Sequence, residues 1–331
     1  MAPPAWITRL AATIVLVAVC AAVTSAQFRR GRFFEAVRSA TPESFDGGFN
    51  FCRVMFSRAA DGDGGGWFVD YPRADVNLSI RFAELTKARI STDNTGEPNH
   101  LVFSLTDPLM FDCPFIMMTE VGAAYISPEE AAALREYLQK GGFLWADDFW
   151  GSYAWEHWVS EFRKVLPANE YPIFELPKDH PMFKSQFVIT KVPQIPSINH
   201  WMGSGGGTSE RYEDSAVPHA MAVADRKGRV MVLMTHNTDF GDSWEREGDD
   251  PNYFYNFSVD GYAFGINVLL YALSHLSRWK SSGLSMSSTV STRAIRGMDR
   301  HCIKFSTASM RDKQRGHPFR VGTRSGRSCC T

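Results

Sequence analysis

Four short apolar runs, each ending in a knot of polar and acidic residues, restrict this chain more than any other feature. LVFSL stops at Thr106-Asp107, FIMM at Thr119-Glu120, GFLWA at Asp147-Asp148, and VMVLM at Thr235-His236-Asn237-Thr238-Asp239. FLWA reads as a short buried strand, and the other runs read as strands as well. Helical periods separate most of them, which predicts an α/β domain around a mainly parallel sheet. In such sheets ligands bind in the crevice beyond the carboxyl ends of the strands. Parallel strands would bring these carboxylates and the imidazole to one edge.

The remaining elements follow from local signals. FNFCRVMF (49–56) reads as a first strand, and DGDGGG (61–66) as a turn without the later ligands of a calcium loop. A helix is expected after Pro72, with Val76, Ile80 and Ala83 on one face and Leu78, Phe82 and Leu85 beside them. Ser127-Pro128-Glu129-Glu130 combines an N-cap serine, a first-turn proline and a capping-box glutamate, so a helix should start there and stop at Gly141. Residues 153–166 carry an apolar stripe of Trp155, Trp158, Val159, Phe162 and Leu166, closed by Pro167. Residues 168–219 are irregular. Their GSGGGTSER run (203–211) lacks phosphate-loop spacing and suits a flap or surface loop. AMAVADRKGRVMVLMT (220–235) is a hairpin turning at Asp225–Gly228, and 261–276 is a final helix docked on the sheet. There are no internal repeats.

The chain has 331 residues, 44% of them hydrophobic and 21% charged, with a net charge of −1. That accommodates one large core and gives no general reason to bind nucleic acid. Residues 1–26 have the form of a secretory signal: Arg9, an apolar stretch from Leu10 to Val23, and Thr24-Ser25-Ala26 as a small-residue cleavage site. The apolar stretch is short for a membrane span. The expectation is therefore an exported, periplasmic protein with no transmembrane helix after cleavage. A lipid anchor at Cys20 is less favoured because Val19 is bulky. Residues 27–45 read as a lead-in linker, 46–279 as a single α/β domain, and 280–331 as a disordered basic tail. From Ser281 onward there are ten Lys/Arg against two Asp. After cleavage five cysteines remain, with no metal spacing. Cys52 is most simply a buried thiol, and a bridge to Cys113 is an open alternative.

Clustered carboxylates need a counter-ion, a metal, a proton or a hydrogen-bonding ligand. The bland alternative is that each caps a loop or helix. Side chains alternate along a strand, so at most one of Asp147 and Asp148 can face the crevice directly. Arg53, Arg73, Arg81, Arg211 and Arg246 could compensate some of the charge. No cofactor is required by the sequence. A divalent cation fits the oxygen donors, whereas no paired-His spacing supports zinc. In NTDFGDSWERE (237–247), acid and amide groups beside Trp244 suit a polyhydroxy ligand. The candidate ligand-binding set is Asp107, Glu120, Asp148, His236, Asn237, Asp239, Asp242 and Trp244. If the protein is an enzyme, the candidate catalytic set is Asp147, Asp148, His236 and Asp239.

DYPRADVNLSIRFAELT, CPFIMMTEVG, LREYLQKGGFLWADDFWG, LPKDHPMF, GRVMVLMTHNTDFGDSWE and YAFGINVLLYAL together resemble the bacterial family known as domain of unknown function 4159, over roughly residues 48–276. That family is placed in the class I glutamine amidotransferase-like superfamily, so the resemblance implies a flavodoxin-like three-layer sandwich and no established activity. In glutamine amidotransferases a cysteine nucleophile follows one strand, and a His with a nearby Glu follows a later one. Here Asp147 and Asp148 stand at the first place. His236 and Asp239 stand near the second, one residue farther apart than usual, so a thiol glutaminase mechanism is not expected. Three readings remain open: a module binding a small polar ligand or cell-envelope component at the strand ends, an Asp/His-dependent hydrolase at the same place, and an envelope assembly protein.

Overall fold

The computed structural model describes residues 37–274. The expected signal (1–26), the Cys20 anchor, the first part of the lead-in and the basic tail (280–331) lie outside the described residues. In chain order the elements are β1 (Phe51–Met55), β2 (Ser57–Arg58), α1 (Arg73–Thr86), β3 (His100–Ser104), β4 (Phe115–Thr119), β5 (Ala124–Tyr125), α2 (Pro128–Gln139), β6 (Phe143–Asp147), α3 (Gly151–Val165), β7 (Phe174–Glu175), α4 (Ile198–Gly203), β8 (His219–Ala224), β9 (Val230–His236), α5 (Phe240–Glu245), α6 (Pro251–Tyr253) and, after one π turn, α7 (Val259–Ser274).

Seven strands form the main sheet in the order β3-β1-β4-β6-β9-β8-β7. The first five are mutually parallel, whereas β8 runs antiparallel to β9 and β7 antiparallel to β8. Taken in chain order, the parallel strands follow the flavodoxin pattern, second-first-third-fourth-fifth. Strand order reverses between β1 and β4, so the topological switch point opens at their carboxyl ends.

Alternation along each strand sends residues to two helical layers. Leu144, Ala146, Val232 and Met234 meet α2 and α3 through Leu134, Leu138, Trp158 and Phe162. Phe143, Trp145 and Leu233 meet α1, α5 and α7 through Leu78, Phe82, Phe240 and Phe264. The result is the expected three-layer α/β sandwich. The capping box of α2 is complete: Glu130 N donates to Ser127 Oγ and Ser127 N to Glu130 Oε2. The helix gives way at Gly141, which takes a left-handed φ of 115°.

Three expectations need adjustment. Helix α1 buries Ala74, Leu78 and Phe82, while Val76 is half-buried and Ile80 exposed. Rotation of the helix is set by Asp75, which must meet the fully buried Arg53 of β1; Arg53 Nε lies 3.0 Å from Asp75 Oδ2. An unpaired buried guanidinium would cost more than moving one aliphatic side chain to the surface. The described end of the lead-in, residues 37–45, is paired to the sheet edge: Ser39 bridges Val102, Ala40 N donates to the Val102 carbonyl and Val102 N to the Arg38 carbonyl. Finally, Cys52 and Cys113 form a disulfide rather than free thiols. No described helix is long and apolar enough to cross a membrane.

Candidate functional site

The carboxyl ends of the parallel strands share a backbone peculiarity. Glu120 directly follows β4, Asp148 follows β6 and Asn237 follows β9, and all three are left-handed, with φ of 54°, 57° and 61°. Asp70, at the end of the loop leaving β1, has φ 62°. Left-handed non-glycine residues are uncommon and cost about 1–2 kcal/mol each, less for Asn and Asp. Three of them at the crevice and a fourth, Asn237, at the neighbouring Gly151 turn represent strain concentrated where the sheet meets its loops.

The adjacent aspartates have separate roles. Asp147 continues β6 and points into the layer of α5. Its Oδ2 accepts from Phe240 N (2.9 Å) and Gly241 N (3.3 Å), and its Oδ1 from the Thr235 hydroxyl. It ties β6, β9 and the start of α5 together, and burial pushes its carboxyl up to about 7 despite those bonds. The left-handed turn at Asp148 frees the next carboxylate from that tie and brings it to Asp70 and Asp239 at the carboxyl edge of the sheet. Asp148 spends Oδ1 on the Trp150 indole N–H at 3.0 Å and is 5% exposed.

Asp148 meets two further carboxylates there. Asp239 caps α5 by accepting from Asp242 N at 2.7 Å through Oδ1. Asp70 is held by its loop: Arg53 Nη1 donates to the Trp67 and Val69 carbonyls at 3.2 and 3.1 Å. One oxygen each from Asp70, Asp148 and Asp239 lie within 4.8 Å of one another, and a second such triad joins Asp70 to Asp242 and Glu245. Gly241 makes room for this, because a Cβ there would lie 2.2 Å from Asp70 Oδ2.

Burial, then mutual repulsion, raises these carboxyls. Asp148 is driven well above the usual carboxylate range by burial, with Glu120 and Asp70 adding to it. Asp239 is raised in the same way by burial, Asp148 and Asp70. Asp70 is raised by burial, Asp242 and Glu245 against a weaker pull from Arg53. Glu120 is pushed up to about 7, mainly by burial. The second triad is partly compensated: Arg246 Nε reaches Asp242 at 3.3 Å and Glu245 at 2.8 Å, and the Tyr253 hydroxyl donates to Asp242. Among the described residues, no ion pair includes Asp70, Asp148 or Asp239.

The other sequence candidates sit elsewhere. Among the described residues His236 makes no hydrogen bond or ion pair with the crevice acids; its Nε2 is 2.9 Å from the Gly151 carbonyl oxygen and its ring lies against Phe149 and Trp155. Burial, with His219 adding, pushes the imidazole down to about 4. Asn237 clamps the same turn, accepting from Gly151 N at 2.9 Å and donating to the Val217 carbonyl. Asp107 caps the short 3-10 turn after β3 through Leu109 N. The Trp244 indole, expected beside a ligand, is fully buried against Trp145 and Phe240. Its position on α5 faces the sheet, so it serves the core.

Two residues outside the sequence candidates join the site. Asp70 was hidden in a loop well after its strand, although an aspartate just ahead of a Tyr-Pro and a helix is a fitting left-handed residue. Glu210, from the glycine-rich run, adds to the repulsion at Glu120 and Asp148 while accepting from Ser197 N at 2.7 Å. Its neighbours knit a rim. Arg211 pairs with Asp63 at 3.1 Å, Asp214 accepts from Ser152 N at 2.8 Å, and the Tyr153 hydroxyl donates to the Asp61 carbonyl at 2.6 Å. Tyr153 and Tyr212 stand on that rim 55% and 82% exposed.

No curated protein matches the chain. Residues 51–273, which hold every strand of the main sheet and every strand-end acid, match the family described as Domain of unknown function (DUF4159), and the chain belongs to that family.

Proposed function

We propose that the protein is an exported module that binds a polar, polyhydroxylated ligand, a glycan or other envelope component, at the switch-point crevice. The observation that supports this reading is the pairing of carboxylate acceptors in the crevice with exposed tyrosine rings on the rim above it. Hydroxyl groups need acceptors, and the apolar faces of sugar rings lie well on aromatic rings. The stacking role first given to Trp244 passes to Tyr212 and Tyr153. Export agrees with the Cys52–Cys113 disulfide, since such bonds persist in oxidising compartments.

The hydrolase reading has weaker support. A general base must reach the proton that it moves, and His236 is spent on the Gly151 carbonyl instead of any crevice acid.

The test is calorimetric titration of the mature chain with soluble muropeptides, chitin oligomers and glucan oligomers, with the Tyr212→Ala and Tyr153→Ala variants alongside. Saturable binding to one class, weakened in both variants while their circular dichroism stays native, is the expected result. Absence of binding to all three, or binding indifferent to both tyrosines, would refute the reading.

A further inference from the structure

Going beyond ligand binding, we propose that Asp70, Asp148 and Asp239 hold one hard divalent cation, of the calcium, magnesium or manganese class, at the floor of the crevice. Two independent observations meet here. The three carboxylates bring one oxygen each to within 4.8 Å of one another. Asp70 Oδ2, belonging to a side chain more than nine-tenths buried, has no hydrogen-bond partner, and it borders with Asp239 Oδ1 the space left by the missing side chain of Gly241. A buried carboxylate oxygen left unpaired is costly, and native structures rarely keep one without a reason such as an ion.

The choice between the two acidic triads follows from their partners. Asp242 and Glu245 already have Arg246, and Asp242 accepts from Ile198 N and from the Tyr253 hydroxyl. Asp148 and Asp239 each spend one oxygen, on Trp150 Nε1 and on Asp242 N, and keep the other. The uncompensated triad is therefore the one with donors to offer. All donors are oxygen, and His236 faces the Gly151 carbonyl, so the set suits a hard cation and not zinc.

The surroundings are arranged to permit it. Arg53 pins the Trp67–Val69 backbone from beneath and delivers Asp70 in a left-handed conformation. The absent side chain of Gly241 leaves the space that Asp70 Oδ2 occupies. A cation here would also present open coordination positions to ligand hydroxyls at the mouth.

The experiment uses the metal alone. Chelator-treated mature protein is titrated calorimetrically with Ca2+, Mg2+ and Mn2+ in turn, and melted with and without each. The expected result is one cation bound per chain, a higher melting midpoint, and affinity lowered at least roughly tenfold in both Asp70→Asn and Asp239→Asn. Both variants should melt in chelator at or above the parent, which separates lost binding from lost folding. Should either variant fail to fold, Mn2+ electron paramagnetic resonance of the parent decides between a protein-bound and a free ion. No saturable binding of any of the three ions, meaning that the acids share protons instead, would overturn the proposal. So would binding unchanged in the variants. Because no glycan is present, failure here leaves the polyhydroxy-ligand reading intact, and failure of that reading leaves this one intact.

Discussion

Replacing Asp148 by Asn should stabilise the metal-free protein at neutral pH and do nothing in acid. At separations of no more than 4.8 Å and an effective dielectric of about 20, each pair of charged carboxylates in the triad repels by at least ~3.5 kcal/mol. Protonation limits the penalty. Holding one ordinary aspartate neutral at about pH 7 costs ~4 kcal/mol, and the chain adopts whichever is less. Removing that charge therefore returns roughly 2–4 kcal/mol, or about 5–15 °C in melting midpoint for a domain of this size. Asparagine still offers an oxygen to the Trp150 indole N–H, so that hydrogen bond survives.

The pH dependence distinguishes this cause from a generic gain in packing. Asp148 is raised in the folded state, so the folded parent holds a proton that the unfolded chain releases near pH 4. The parent's stability is whole below that pH and is lost as pH climbs toward the raised folded value. Melts in chelator at about pH 4.5, 6 and 7.5 should show the variant and parent together in acid and diverging as pH rises. A midpoint lower than the parent's at the highest pH, or a gap independent of pH, would refute the reasoning and make Asp148 a structural acceptor.

The neighbouring residue should behave oppositely. Asp147→Ala strands Phe240 N and Gly241 N inside the protein and removes the carboxylate that the Thr235 hydroxyl donates to, so urea denaturation should show a loss of about 3 kcal/mol or more. Replacing Cys52 and Cys113 together by alanine opens a loop spanning 61 positions and should cost ~4 kcal/mol by chain entropy. Reduction of the parent should reproduce that fall in the same urea assay. The His236 imidazole, pushed down to about 4, should stay neutral in nitrogen-15 spectra recorded near pH 5.5. Its folded pKa lies below the unfolded one, so its contribution is whole above about pH 6.5 and is lost as pH falls toward 4. His236→Asn should flatten the acid limb of the stability curve.

The fold was legible because its signals are local or periodic. The Ser127–Glu130 capping box starts α2, the apolar runs mark β4, β6 and β9, and a hairpin was visible around Asp225–Gly228. The face of α1 was not, since hydrophobicity alone favours Val76 and Ile80, while the buried pairing of Asp75 with Arg53 lies 22 residues apart in sequence. The site was legible only in outline. Strand-end acids can be read from sequence once the strands are parallel, but which acid enters the crevice depends on a left-handed residue. Asp147 and Asp148 are chemically identical, and only the φ of 57° at Asp148 separates a tie from a donor. Trp244 misled for a related reason: one turn of α5 carries both Asp242 at the crevice and an indole in the core. Asp70 escaped because its strand ends 15 positions earlier, at Met55, and the intervening loop is steered by Arg53. Core and crevice thus share a residue. Arg53 neutralises Asp75 inside the sheet layer and, with the same guanidinium, positions the Asp70 loop. A change that weakens the core at β1 should therefore move the crevice floor as well, and a cation bound there should in turn strengthen the β1 loop against opening.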